Sequence, residues 1–218
     1  MPLLAYCIAE AEAKIEAPSR GVQGKSIRTV SESGLISFVS EYSAAEDRNQ
    51  IRSTALEFNR VLQNLLQQAA IVPFRFPTMV ANESEMCGFL REHAAGYLEN
   101  LQRLREAVQM EVNLTVDEPP KTAQVSGSEY LRARQARHRK LTAGAESIRK
   151  ALAQWMKDWH EHESSGGTRC YILVSRHAVQ SVLQRLQGMK ISHDLHARVT
   201  GPWPATEFWE NLKTQRKS

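Results

Sequence analysis

The sequence contains no long apolar run. No stretch approaches the roughly 20 consecutive apolar residues that a membrane-spanning helix needs, although hydrophobic residues make up 42% of the 218 positions. The first residues, MPLLAYCIAEAEAK, have no basic segment ahead of their short apolar run. We therefore expect neither a membrane segment nor a secretory signal, and the sequence predicts a cytoplasmic protein.

Cysteine is scarce. The chain has three cysteines, Cys7, Cys87 and Cys170, far apart and each among apolar neighbours. Their odd number and wide spacing fit neither a disulfide framework nor a metal-ligand pattern. Buried thiols in a reducing compartment are the expectation.

Catalytic and cofactor motifs are also missing. The sequence has no G-x-S-x-G elbow, no phosphate-binding loop and no G-x-G-x-x-G turn. Residues 160–163 (His-Glu-His-Glu) resemble zinc ligands in type, but we expect them at a helix end, with adjacent side chains pointing apart. His193 and His196 would lie on opposite faces of a strand. The sequence predicts a protein that is not an enzyme, with no cofactor and no metal site.

Charge divides the chain into two halves. Residues 1–106 contain 11 basic and 13 acidic residues, whereas residues 107–218 contain 17 basic and 11 acidic residues. The composition is ordinary for a globular protein. Each half is long enough to bury a core of its own.

The first half predicts strands and two long helices. Residues 3–9 are apolar throughout, which is typical of a strand covered on both faces, and residues 26–30 and 35–39 predict a hairpin. Ser43 and Asn82 are each followed three residues later by Glu, as at a helix start, and apolar residues then recur every three or four positions. Between the helices, residues 71–80 predict a proline-containing strand at a sheet edge or with a bulge.

The second half predicts strand, helix, strand, helix, strand. Residues 108–116 alternate between apolar and polar types, and residues 117–127 predict a connection. We expect a helix from about 127 to 159, with a start signal at Ser126 and Glu129, then a strand at 170–174, a helix at 177–186 and a strand at 191–199. The predicted fold class is α+β, with an N-terminal α+β domain at 1–106 and a ferredoxin-like (modified) domain at 107–218.

Two short segments are distinctive. Residues 71–78 read Ile-Val-Pro-Phe-Arg-Phe-Pro-Thr, and residues 199–204 read Val-Thr-Gly-Pro-Trp-Pro, followed by Phe208. Both resemble signatures of the gas vesicle protein F/L family, in the same order and on the same predicted elements across nearly the whole chain. The family usually has Gly in place of Pro77, and it continues Pro-Tyr where this chain has Ala205 and Thr206.

The resemblance implies an accessory protein for gas vesicle assembly. It would act through contacts with the gas vesicle shell protein and with other gas vesicle accessory proteins, and it could associate with the vesicles. The residues with which it would bind partners are then Arg75, Phe76, Arg132, Arg134, Arg137, Arg139, Trp203 and Phe208.

The roles of these residues are open between structure and binding. Pro202 and Pro204 lack the N–H group that a strand donates to its neighbour. Residues 201–204 are therefore expected to end the last strand and to display Trp203 and Phe208. Those two either fold back onto the protein's own core or form an exposed aromatic patch for a partner. Glu111 is a weaker, third match to the family. Arg75 is either a buried ion-pair partner of Glu111 or an exposed charge at a sheet edge.

The basic run in the third helix also has two interpretations. Arg132, Arg134, Arg137, His138, Arg139 and Lys140 have no acid among them, so they form either an ordinary solvated surface or a patch that docks an acidic protein surface. A nucleic-acid-binding module is the alternative function. No aromatic pattern or named nucleic-acid motif accompanies the charges.

Overall fold

The computed structural model describes residues 1–43, 48–117, 127–164, 166–189 and 194–209, without the side chains of residues 48 and 49. The chain divides into two compact units. The first comprises Met1–Glu106 together with Trp203–Ser218, and the second comprises Ala107–Pro202. Both helices and strands are present in each, so the α+β fold class is confirmed.

The first unit contains a five-stranded sheet and two helices. Its strands are β1 (Leu3–Glu10), β2 (Arg28–Glu32), β3 (Leu35–Glu41), β4 (Val72–Pro73) and β5 (Met79–Val80). The sheet order is β2-β3-β1-β4, and β5 also pairs with β1. The helices are α1 (Arg48–Gln68) and α2 (Glu83–Arg103).

All eight residues of β1 are buried, as the unbroken apolar run predicts. The predicted start of α2 is also confirmed, because Asn82 Oδ1 accepts a hydrogen bond from the Glu85 amide at 3.0 Å and Glu85 Oε2 accepts one from the Ala81 amide. These reciprocal bonds satisfy backbone donors that a first helical turn leaves unpaired. The start signal of α1 includes residue 46, and that of α3 begins at residue 126; both positions lie outside the described residues.

The predicted strand at 71–80 is two short strands instead of one. Both β4 and β5 pair antiparallel with β1, at Ile8 and Leu4 respectively. The Phe76–Pro77 peptide bond between them is cis. The segment hydrogen-bonds β1 on both sides of the cis bond, through the Phe74 amide and the Thr78 carbonyl oxygen, and prolines, which lack an N–H group, interrupt the ladder between them.

The second unit contains a four-stranded sheet and two helices. Its elements are β6 (Ala107–Val116), α3 (Gly127–Leu152), β7 (Met156–Ser164), β8 (Gly167–Ser175), α4 (Val179–Gln187) and β9 (Leu195–Trp203). The sheet order is β7-β8-β6-β9. Alternate residues of β6, from Val108 to Leu114, are buried, as predicted. Leu114 lies beside Gly144 of α3, so this face of β6 packs against the helix.

The prediction that α3 runs to Trp159 is wrong. The helix ends at Leu152, and β7 follows after a short turn. Leu152, Trp155, Met156 and Trp159 recur at helical spacing, but Trp159 pairs with Ile172 of β8 in an antiparallel ladder. Pairing with a buried central strand overrides the local pattern. The unit therefore has one strand more than predicted, and residues 160–163 lie in β7 instead of at a helix end.

The last strand also differs from its prediction. β9 continues through Trp203, so residues 201–203 extend the strand that they were expected to end. β9 lies at the edge of its sheet, where a proline without an N–H group costs no ladder bond on the outer side. Residues 190–193, including His193, lie outside the described residues.

Candidate partner-binding surfaces

The segment between β4 and β5 places Phe76 inward and Arg75 outward. Phe76 is half-buried, with its ring centroid 5.2 Å from that of Phe58 and 6.2 Å from that of Tyr42. Arg75 is exposed, and its carbonyl oxygen accepts a hydrogen bond from Thr78 Oγ1 at 2.6 Å. Phe76 is therefore part of an aromatic cluster of the first unit, whereas the Arg75 side chain is directed to solvent.

Arg75 is exposed, and Glu111 has a partner within its own sheet. Arg75 lies beside the first sheet, and Glu111 lies on β6 of the second sheet, where Arg169 Nε of β8 lies 3.0 Å from Glu111 Oε1. Arg75 is thus an exposed charge beside β4, as in the second of its two interpretations. Its contact with a partner stays a prediction.

Gly201 occupies a position that other residues fit poorly. Its φ is +117°, a value that L-residues rarely adopt, and its peptide bond to Pro202 is cis. A Cβ atom at this position would lie 3.0 Å from the Gln109 carbonyl oxygen and 3.1 Å from Met110 Sδ. The Thr-Gly-Pro-Trp motif thus allows the edge strand β9 to lie close to β6.

The tail after Trp203 belongs to the first unit, whereas the predicted division assigns it to the second domain. Phe208 and Trp209 are buried, and the Trp209 ring lies 5.3 Å from Tyr97 of α2 in an edge-on arrangement. The Phe208 carbonyl oxygen accepts a hydrogen bond from Arg103 Nη2. These contacts with α2 explain why the tail packs in the first unit.

Phe208 therefore folds back onto the protein's own core, which is one of the two alternatives for the tail. Trp203 is only partly buried, and its role in binding a partner stays a prediction. Trp209 has a larger buried side chain than Phe208, but sequence reasoning missed it. The adjacent aromatic pair after the proline segment is the signal that could have identified it.

The four predicted binding arginines of α3 lie in its N-terminal half. Arg132, Arg134 and Arg139 are exposed, and Arg137 is half-buried. The Arg137 guanidinium donates a hydrogen bond to the Gly166 carbonyl oxygen at 2.9 Å, in the turn between β7 and β8. Arg137 thus supports the fold of the second unit.

Two further residues of the basic run contact residues of the second unit. Lys140 pairs with Asp194, and His138 Nδ1 lies 3.5 Å from Glu163 Oε1 on β7. The cations of the run that extend into solvent are therefore fewer than the sequence suggests. Whether they bind an acidic protein or nucleic acid stays a prediction.

Sequence reasoning missed two apolar residues on the same part of α3. Tyr130 is 61% exposed and Leu131 is 57% exposed, next to Arg132. The first buried residue of α3 is Leu141. Residues 127–140, which we call the exposed half of α3, thus combine apolar and basic side chains, and none of them is fully buried. The signal in the sequence was the apolar pair Tyr130–Leu131 directly before the basic run.

The most strongly perturbed titratable groups are buried in the cores. Burial raises the pKa of the Cys170 thiol to about 12, and Cys7, fully buried in β1, also has a raised pKa. Burial likewise raises the pKa of the Tyr6 hydroxyl. These are the shifts expected of groups kept neutral in a low-dielectric interior. The Glu161 carboxylate, the cross-strand neighbour of Cys170 on β7, raises the pKa of that thiol further.

One open cleft lies between α3 and α4, with a volume of about 500 Å³. Its lining residues are Ser147, Lys150, Ala151, Arg185, Gly188 and Met189. Lys150 Nζ lies 3.7 Å from Glu146 Oε1. The lining includes a serine but no histidine or carboxylate.

Over the described parts of the chain, no group of three or more His, Cys, Asp or Glu residues could hold a metal ion. Among the described helices, none is both long and apolar enough to span a membrane.

The fold matches solved structures of gas vesicle proteins. The crystal structure of the gas vesicle protein GvpF from Anabaena sp. PCC7120 matches with a TM-score of 0.71 and 16% identity, covering 96% of each chain. That of GvpF from Microcystis aeruginosa matches with a TM-score of 0.71 and 11% identity, covering 95% of this chain and 98% of the other. At these identities the likeness shows a shared fold.

Sequence comparison establishes the family. The family model for the gas vesicle synthesis protein GvpL/GvpF matches residues 2–210, which include both sheets and the two proline-containing motifs. The chain belongs to the GvpL/GvpF family. No curated protein sequence matches it.

Proposed function

We propose that this chain is an accessory protein for gas vesicle assembly that acts by binding other proteins. Its partners are the gas vesicle shell protein and other accessory proteins. The observation that carries the proposal is the family match over residues 2–210. Both crystal structures that share the fold are of proteins named gas vesicle protein.

A binding role, instead of a catalytic one, agrees with the side chains. The perturbed thiols and phenol lie in cores, and the cleft beside α4 has no acid–base pair among its lining residues. In contrast, the second unit carries exposed basic and apolar side chains on one helix. Large aromatic and arginine side chains provide much of the binding energy of protein interfaces. The protein would act in the cytoplasm.

We further propose that the second unit is a ferredoxin-like domain that begins at residue 107. The element order is strand, helix, strand, strand, helix, strand, and the two strands that precede the helices lie adjacent at the centre of the sheet. This order is that of a split βαβ arrangement. The first domain would then consist of residues 1–106 and the tail from Trp203.

The direct test is binding to purified vesicle components. The chain is immobilised and exposed to the shell protein and to each accessory protein of a gas vesicle system from the same source. We expect saturable binding to at least one of them. Failure to bind any component would reject the proposal.

Trp203 provides a site-specific test of the same proposal. If Trp203 is a binding hot spot, Trp203→Ala leaves the circular dichroism spectrum unchanged and weakens binding by about tenfold or more, since hot-spot aromatics contribute about 2 kcal/mol or more and tenfold corresponds to about 1.4 kcal/mol. Unfolding of the variant, or unchanged affinity, would restrict Trp203 to a structural role.

A further inference from the structure

The packing face of α3 continues into its exposed half, where none of the described residues buries it. In the C-terminal half, the buried residues lie on one face: Leu141, Gly144, Ala145, Ile148 and Leu152. Tyr130 precedes Leu141 by 11 residues, which is about three helical turns, so it lies on the same face. Tyr130 is nevertheless 61% exposed.

The cover of this face ends near Arg137. Its guanidinium, one turn before Leu141, donates to the Gly166 carbonyl oxygen in the turn between β7 and β8. At Arg137, therefore, the turn between β7 and β8 contacts α3. Residues 127–136 before it are all exposed. The packing face of α3 thus carries an exposed aromatic side chain, Tyr130, beyond the part of the helix that the sheet covers. Such a face is suited to packing against a second helix.

The charge of the exposed half selects the partner. Residues 127–140 contain four arginines and one lysine, and Glu129 is their only acid. Lys140 pairs with Asp194 within the unit, while Arg132, Arg134 and Arg139 are exposed around the Tyr130–Leu131 pair. A second copy of the chain would bring two such basic surfaces together, and like charges repel. An acidic partner is attracted to them.

We propose that the exposed half of α3 docks an acidic amphipathic helix of a partner protein. An apolar face of that helix packs on Tyr130 and Leu131, and its carboxylates pair with Arg132, Arg134 and Arg139. Helices that lay an apolar face on a complementary surface are a recurrent mode of recognition. The inference rests on the proposed function in one respect, namely that the partner belongs to the vesicle-assembly system.

A synthetic peptide tests the surface without any vesicle component. The probe is a fluorescent peptide of about 20 residues, long enough to form a helix, with leucines on one face and glutamates beside them. We expect the wild-type chain to bind it with an affinity that falls as salt rises. The charge-reversal variant Arg132→Glu/Arg134→Glu/Arg139→Glu should bind at least about 30-fold more weakly, since close charge pairs at interfaces couple strongly.

The apolar contribution is tested separately. Tyr130→Ser/Leu131→Ser keeps every charge and should weaken peptide binding about tenfold or more. The matched control is Ile51→Ser/Leu56→Ser on α1, because these residues are 47% and 56% exposed and also lie on a long helix. The control should bind the peptide within about twofold of wild type.

Charge exchange keeps the test decisive even if a variant is less stable. A peptide with lysine at every glutamate position should bind the charge-reversal variant and not the wild-type chain. The proposal is overturned if the wild-type chain does not bind the acidic peptide, or if the serine variant binds it as well as wild type does. It is also overturned if a single-stranded oligonucleotide binds the exposed half more tightly than the peptide.

The two proposals can fail independently. If the peptide does not bind but a purified vesicle component does, the docking surface is wrong and the proposed function stands. If the peptide binds as described but no vesicle component binds the chain, the proposed function is wrong.

Discussion

Replacing Tyr6 with Phe tests whether one buried hydroxyl joins three parts of the first unit. The Tyr6 hydroxyl accepts a hydrogen bond from the Val22 amide at 2.8 Å and shares a hydrogen bond with Ser40 Oγ at 2.8 Å. Tyr6, Val22 and Ser40 are each 0% exposed. Phe keeps the ring, which stacks on Phe58 with centroids 5.2 Å apart, so the substitution removes only the oxygen.

The expected cost follows from what the missing oxygen leaves behind. A buried amide and a buried hydroxyl both lose a partner, and each unsatisfied group costs about 1–3 kcal/mol, so the free energy of unfolding should fall by about 2–6 kcal/mol. For a chain of this length, 1 kcal/mol lowers the melting temperature by about 2–4 °C. Urea unfolding provides the free energy, and hydrogen exchange at the Val22 amide should accelerate.

The control and the pH dependence make this prediction specific. Tyr130→Phe removes an exposed hydroxyl and should change the free energy of unfolding by less than about 0.5 kcal/mol.

Because burial raises the pKa of Tyr6 above its ordinary value of 10.0, the folded state keeps the phenol proton to a higher pH than the unfolded state does. The stability that this provides is present below about pH 10 and is lost as pH rises through the folded-state pKa. A loss below about 1 kcal/mol for Tyr6→Phe would refute the reasoning.

Two other predictions concern backbone fit and thiol access. Gly167→Ala should destabilise the protein by more than about 2 kcal/mol, because a Cβ would lie 2.0 Å from the Leu114 carbonyl oxygen; Gly88→Ala, in an open position of α2, should stabilise it by up to about 1 kcal/mol. Urea unfolding measures both, and equal effects would contradict the close approach. Cys87, only partly buried, should react with a disulfide reagent at pH 8 faster than buried Cys170, whose thiol has a raised pKa. Equal reaction rates in the folded protein would be the contrary result.

The sequence predicts best where local pattern and tertiary packing agree. The apolar run of β1 and the alternation of β6 identify strands because both are central in their sheets and have their faces buried accordingly. The Asn82 cap needs only residues within one helical turn. Such features depend on few contacts that are distant in sequence.

Three misses depend on contacts outside the local pattern. β7 has a helical pattern at its start and becomes a strand only because β8 pairs with it. β9 continues through Pro202 because it lies at an edge, and no local rule reveals which strand is an edge strand. The tail packs in the first unit because Tyr97 contacts Trp209 and Arg103, 105 residues before Phe208, donates to its carbonyl oxygen.

The candidate site divides in the same way. Residue type and charge identified the arginines of α3, but their exposure depends on where the sheet ends. That limit also hid Tyr130 and Leu131, which have ordinary core-forming side chains but are exposed among the residues that the structure describes.

Vesicle formation in cells tests the assembly role most directly. A host that carries the complete gas vesicle gene set of the source is compared with the same host lacking only the gene for this chain, and vesicles are counted by electron microscopy. We predict that the deletion abolishes or severely reduces vesicles and that the wild-type gene restores them. Vesicles of normal number and shape without this chain would contradict its proposed role in assembly.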